Sequence, residues 1–227
     1  MALSNTLRLL WLQKRWGKIA AKTPLSPLYT QDWQPEKTPL HALRFLVLDC
    51  EMTGLNPQRD ALLSLGWVRI DKGEIDYASR RHVLVHAKKD VGDSVVIHGL
   101  EDRQIAGAAS PSRALSQLAQ DIRDSVVVFH HAVLDLAFLR AAALHHFACP
   151  FLFQYVDTMQ IERRILDRSG QSGALQLSQC RGRYGLPAAN AHNAMFDAIA
   201  TAELLLAQLS YLDRKGASLA SLGPSVV

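Results

Sequence analysis

Two acidic residues two positions apart, Asp49 and Glu51, close the apolar run RFLVLDCE (44–51). In a strand, residues two apart point to one face, so this pair presents two carboxylates side by side. Burying both is costly unless something neutralises the charge. Two further acids stand in comparable places. Asp135 follows the apolar run SVVVFH (125–130), and Asp197 opens a long apolar helix pattern five residues after His192. Each alone reads as an acid favoured near a helix N-terminus by the helix dipole. Gathered, four carboxylates and a histidine have a specific use. Carboxylates can hold two hard divalent cations ~3.5–4 Å apart against a phosphodiester, where the ions activate water and stabilise the leaving oxygen. An oxygen-only ligand set suits Mg²⁺ or Mn²⁺, whereas zinc favours more His or Cys. A histidine outside the ligand set then serves as general base.

The elements that must position these groups follow from periodicity and turn chemistry. Strands are expected at 44–51, 62–70 and 74–86, the last two joined by the turn signal Asp71-Lys72-Gly73. Pro111 opens a helix through Arg123, with Ser110 as its cap. Short buried strands at 125–130 and 154–158 each precede a helix, at 134–147 and 159–166. A further helix at 175–184 ends at Gly185, and a long one spans 194–212. Three antiparallel strands followed by strands alternating with helices make an α/β fold with a mixed sheet flanked by helices.

Composition agrees with a folded chain. Of 227 residues, 48% are apolar and 20% charged, which excludes a disordered protein. No apolar run approaches ~18 residues, so no membrane segment is expected. Cys50, Cys149 and Cys180 are scattered, without a CxxC, which excludes a disulfide scaffold and fits a reducing, cytoplasmic setting. The chain also lacks HExxH and a phosphate-binding Gly-rich loop. The net charge of +4 comes from the N-terminal arm. Residues 1–44 carry seven Lys/Arg against Asp32 and Glu36, while the remainder is nearly balanced. The arm divides into an amphipathic helix, 4–20, with Leu7, Leu10, Trp11 and Ile19 among basic residues, and a proline-containing linker. Three readings of the helix stand: a surface helix packed on the body or a partner, a nucleic-acid or membrane-surface contact, and a mitochondrial-type presequence. The expected divisions are 1–41 for arm and linker, 42–212 for the catalytic body and 213–227 for a tail.

Three ordered motifs carry a resemblance: LVLDCEMTGLNPQRDALLSLGWVRI beginning at Leu46, VVFHHAVLDLAFL (127–139) and YGLPAANAHNAMFDAIATAELLLAQL (184–209), with IHGLEDRQIAGA (97–108) between the first two. Over 44–210 the chain resembles the DnaQ-like DEDD exonucleases of the His-containing branch, which includes proofreading subunits, oligoribonuclease and RNase T. His192-x4-Asp197 marks that branch; the Tyr branch has Tyr where this chain has Asn193.

The resemblance implies a ribonuclease H-like fold. It also implies a metal-dependent 3′→5′ exonuclease that releases nucleoside 5′-monophosphates from single-stranded DNA or RNA ends. Asp49, Glu51, Asp135 and Asp197 would hold two Mg²⁺ or Mn²⁺ ions, and His192 would be the base. Glu51, Met52, Thr53, Leu55 and His98 would contact the terminal nucleotide. The second motif departs from the common H-N-A-x-F-D, with His131 for Asn and Leu134 for Phe. The competing reading is a non-catalytic nucleic-acid-binding or assembly module on the same fold; the intact acids and His192 argue against it. A protein partner on the arm, and a monomer or homodimer, complete the expectations. Cys50 reads as a small buried hydrophobe facing away from its acidic neighbours, and Asp157 as a helix cap. His145-His146 reads as a helix C-terminal pair, and Arg163, Arg164, Arg181 and Arg183 as a solvated face or a track for the substrate backbone.

Overall fold

The computed structural model describes residues 5–86, 108–189, 193–213 and 216–227. Strand β1 (Phe45–Met52) lies mid-sheet, between β2 (Leu62–Asp71) and β4 (Val126–Phe129). The order is β3-β2-β1-β4-β5-β6, with β3 at Glu74–Leu84, β5 at Gln154–Asp157 and β6 at Ser225–Val226. The first three strands form an antiparallel meander, and β4 and β5 run parallel to β1. The expected mixed sheet is therefore present. Strand β3 ends two residues sooner than its expected limit. Strand β6 was not foreseen: the tail pairs antiparallel with β5, Gln154 opposite Val226.

The residues of β1 divide between two apolar layers. Leu46, Leu48 and Cys50 enter the layer beneath α3 (Pro111–Ile122) and α4 (Val133–Phe147). Phe45 and Val47 enter the opposite layer, with Ala202, Leu205 and Leu209 of α7 (Ala194–Asp213). Alternation along the strand thus sends Asp49 and Glu51 toward α7. Helix α7 is long and apolar enough, by composition, to cross a membrane, but its central residues Ala202, Leu204 and Leu205 are fully buried in this core. Helices α5 (Thr158–Arg168) and α6 (Leu177–Arg183) follow β5 in the chain.

The N-terminal arm packs on the body. In α1 (Asn5–Ala20), Leu9, Leu12 and Ala20 are buried, and Trp16 is partly buried against the same layer. Leu7, Leu10, Trp11 and Ile19, which periodicity chose as the apolar face, are exposed. The buried stripe is offset by about one residue, because tertiary contacts choose between two apolar faces that sequence leaves nearly equivalent. The linker holds a short helix α2 (Ser26–Thr30) that buries Leu28 and Tyr29, whose hydroxyl donates to the Pro150 carbonyl at 2.7 Å. Arm and tail then interlock: the N–H groups of Leu219 and Ala220 donate to the carbonyls of Thr38 and Glu36, and Asn5 Nδ2 donates to the Pro224 carbonyl at 2.9 Å.

Candidate active site

Asp49, Glu51 and Asp197 converge: each offers a carboxylate oxygen, and these oxygens lie within 4.8 Å of one another. Residues 146 positions apart meet because the odd residues of β1 face α7, and α7 begins directly on β2. Gly66, opposite Asp49 in the β1–β2 register, makes that approach feasible. A Cβ at this position would overlap the backbone of Ala194 and Met195. The sequence reading gave Gly66 no role; its only signal is a glycine inside an apolar strand, which marks close backbone approach.

Asn193 begins α7. Its Oδ1 accepts from the N–H of Met195 at 3.1 Å, and its own N–H donates to Asp197 Oδ2 at 3.2 Å. Where the Tyr branch places its Tyr, this chain therefore has a helix cap that also anchors one carboxylate oxygen. His192, the expected base, and His98, the expected nucleotide contact, lie outside the described residues.

Asp135 reaches the same strand from the other side. It is buried in the first turn of α4, and its Oδ1 accepts from the Cys50 N–H at 3.1 Å. Cys50 does face away from its acidic neighbours, but it is more than a small hydrophobe. Burial, with the charges of Asp135, Asp49 and Glu51 beside it, keeps its thiol protonated well above the usual thiol range. The turn that delivers Asp135 is fixed by Asp157, whose carboxylate accepts from the N–H groups of His131, Ala132 and Met159 at 2.9–3.1 Å. Asp157 therefore caps α5, as expected, and also ties α4 to it. His131 sits at φ 68°, the left-handed region where Asn and His are enriched, which accounts for tolerance of this substitution.

The electrostatics follow from burial and like charge. Burial, then the charges of Asp135, Asp197 and Glu51, push Asp49 well above the usual carboxylate range. Burial with Asp197 and Asp135 raises Glu51 to about 7. Burial raises Asp135 to about 7 despite its hydrogen bonds with Cys50. Such a cluster is poorly satisfied by protein alone. An oxygen-only donor set with mutually repelling charges fits hard divalent cations, and Asp49, Glu51 and Asp197, with Asp135 alongside, are the residues that would hold them.

Three of the expected nucleotide contacts, Met52, Thr53 and Leu55, follow Glu51 in the chain. Met52 is buried at the end of β1, and Leu55 stands exposed on the following loop. Thr53 holds that loop in shape: its hydroxyl accepts from the Ala61 N–H, and its own N–H donates to the Ala61 carbonyl, both at 2.9 Å. His130 is structural. Its Nε2 meets the Leu175 carbonyl at 2.9 Å, a contact that fixes a proton there, its Nδ1 faces the Thr158 hydroxyl, and burial lowers its pKa. Arg181 and Arg183 are engaged with acids of the chain itself. Arg181 is buried, donates to the carbonyls of Ala200 and Pro187 and pairs with Glu203 at 2.8 Å; Arg183 pairs with buried Glu162 at 2.7 Å. His145 and His146 are exposed in the last turn of α4, in keeping with a helix C-terminal pair.

The exonuclease family model of RNase T type matches residues 46–205. Among curated proteins, the PolC-type DNA polymerase III of Thermotoga maritima is 28% identical over 173 residues, 76% of this chain and 12% of that protein. The corresponding polymerase of Staphylococcus saprophyticus is 25% identical over 184 residues, covering 81% and 12%. The chain thus spans about an eighth of these relatives' length. Among solved structures, cell-death related nuclease 4 superimposes with a TM-score of 0.63 at 20% identity, covering 78% of this chain and 66% of that one. Escherichia coli exonuclease I in complex with a dT13 oligonucleotide gives 0.61 at 15% identity, covering 76% and 43%. The fold is ribonuclease H-like, as expected.

Proposed function

The chain belongs to the exonuclease family whose model matches residues 46–205, and from that premise we propose that it removes nucleotides one at a time from the 3′ ends of single-stranded DNA or RNA. The observation that carries the reading is the meeting of Asp49, Glu51 and Asp197 within 4.8 Å, with Asp135 hydrogen-bonded one strand position away. A non-catalytic module would have no need to keep four acids at a buried site against their mutual repulsion.

The proposed cofactors are two Mg²⁺ or Mn²⁺ ions held by Asp49, Glu51, Asp135 and Asp197. Bound there, such cations supply positive charge against the phosphodiester and acidify water. The residues of the chain do the rest. Met52, Thr53 and Leu55 line the seat of the terminal nucleotide, and Glu51 accepts from its 3′-hydroxyl. His192 takes the proton of the attacking water as its oxygen bonds to phosphorus. The bond from phosphorus to the 3′-oxygen of the penultimate nucleotide breaks, and that oxygen takes a proton from solvent water. The terminal nucleotide leaves as a 5′-monophosphate, and the strand keeps a new 3′-hydroxyl.

The test is product analysis on matched DNA and RNA single strands, labelled at the 5′ end, with Mg²⁺, with Mn²⁺ and with EDTA. A ladder shortening from the 3′ end with nucleoside 5′-monophosphate as the only small product, abolished by EDTA, is expected. Internal cleavage, or degradation starting at the 5′ end, would overturn the reading.

A further inference from the structure

Helices α1 and α4 face each other across a cavity of about 580 Å³, inside the usual range of ligand sites. Its floor is apolar, with Leu136 and Leu139 from α4 and Phe151 and Phe153 from the segment before β5. Trp11 and Trp16 of α1 form the facing wall. Three guanidinium groups, Arg8, Arg15 and Arg140, also line it, and no acidic residue does.

Those cations are unbalanced. Among the described residues, carboxylates pair with Arg44, Arg69, Arg123, Arg181 and Arg183, but with none of these three. The Arg15 guanidinium lies 5.3 Å from the Trp11 ring centre and 5.0 Å from that of Trp16. Stacking of this kind occupies the face of the guanidinium and leaves its N–H edge for an anion. Aromatic rings beside arginine edges suit a ligand that alternates flat apolar groups with single negative charges. Single-stranded nucleic acid is such a polymer.

The position of the cavity selects that ligand. Asp135 and Leu136 are consecutive in the first turn of α4. One turns to the carboxylate site and the other lines the cavity, and consecutive helix residues diverge by about 100°, so the two sites flank the same turn of α4. An acidic peptide with aromatic anchors would also satisfy the charges, but it would have no reason to lie against the helix that carries Asp135.

We propose that the α1–α4 cavity is a second nucleic-acid site that holds a nucleotide of the single strand upstream of its 3′ end, base against the tryptophans and phosphate on Arg8, Arg15 and Arg140. The proposal rests on the exonuclease reading. It is tested on the full chain with Trp11→Ala and Arg15→Gln; both side chains are at the surface, and unchanged melting temperatures verify the fold. Binding of a fluorescent dT12 is followed in EDTA, without turnover, as a function of salt. Each substitution is expected to weaken binding about tenfold or more. Arg15→Gln should also flatten the slope of log affinity against log salt by about one. Hydrolysis of a dinucleotide should stay at the wild-type rate, because it is too short to reach the cavity. Wild-type affinity and salt slope in both variants would overturn the proposal. So would tight binding of an Asp- and Phe-rich decapeptide that dT12 does not displace. Failure of wild-type enzyme to cleave the dinucleotide would instead count against the exonuclease reading, leaving the binding arm of the experiment to decide the cavity.

Discussion

Asp135 accepts a 3.1 Å hydrogen bond from the backbone N–H of Cys50, the residue between the two carboxylates of β1. Strand β4 pairs with β1 only as far as Val47, so beyond that point the β4 side of β1 has no strand partner. The first turn of α4 fills the place with a side chain. Asp49 and Glu51 project toward α7 on one face, and Asp135 grips the same strand from the α4 side. The acidic site at the end of β1 therefore draws on both layers of the fold.

The raised carboxylates set the pH dependence of metal-free stability. Glu51 and Asp135 titrate near 7 when folded, and Asp49 is displaced upward as well. Between their ordinary values and about 7, the folded state holds more protons than the unfolded state, so stability falls as pH rises. In EDTA, the melting temperature is expected to be higher at pH about 5 than at about 8, and Mg²⁺ should recover the loss at the upper end. A melting temperature in EDTA that climbs steadily across this window would contradict the assignment.

Replacing Asp49 by Asn keeps the shape and removes one repelling charge. The rate should drop by at least about a thousandfold, roughly 4 kcal/mol of barrier, while the metal-free protein melts at or above the wild-type temperature. A variant within tenfold of wild-type activity would remove Asp49 from the site.

His192 as base requires a neutral imidazole, so kcat should rise with pH as the imidazole loses its proton. His192→Ala should flatten that limb and cost roughly 10²–10⁴ in rate. A flat wild-type profile, with chemistry shown to limit turnover, would exclude this role.

Gly66→Ala should drive α7 away from β2, because the new methyl meets the Ala194 backbone, not a movable side chain. A stability loss of at least ~1–3 kcal/mol by urea unfolding is expected, together with weakened divalent-cation binding as Asp197 shifts from Asp49. Gly182→Ala is the control. It lies within α6 with open space around it and should gain ~0.5–1 kcal/mol through reduced chain entropy.

The arm separates burial from exposure within one helix turn. Leu9→Ala and Leu12→Ala should each cost ~2–5 kcal/mol, whereas Leu10→Ala, 57% exposed, should fall within about 0.5 kcal/mol of wild type. Equal losses at Leu10 and Leu9 would mean that α1 packs through the other face.

Much of this was legible beforehand, because local chemistry and spacing encode it. Alternation put Asp49 and Glu51 on one face of a strand, and apolar runs with turn signals located the meander and the parallel strands. Gly66 and Asn193 were opaque for a different reason. Their roles depend on where α7 lands, and that is a contact between segments more than a hundred residues apart. Strand β6 is two residues long and exists only because β5 offers an edge. The apolar face of α1 was misassigned since Leu9 and Leu10 are neighbours, and only the body decides which turns inward. Arg181 and Arg183 looked like surface charge until Glu203 and Glu162 appeared beside them.

The hydrogen bond from Asn5 to Pro224 spans 219 positions. During synthesis, α1 emerges 219 positions ahead of its clasp. At roughly 5–20 residues per second the gap is on the order of 10–40 s. Through that interval Leu9 and Leu12 lack their final cover, next to Leu10 and Trp11, which stay exposed even in the finished molecule. The segment around Pro224 is thus the latch that ends the exposure of the arm.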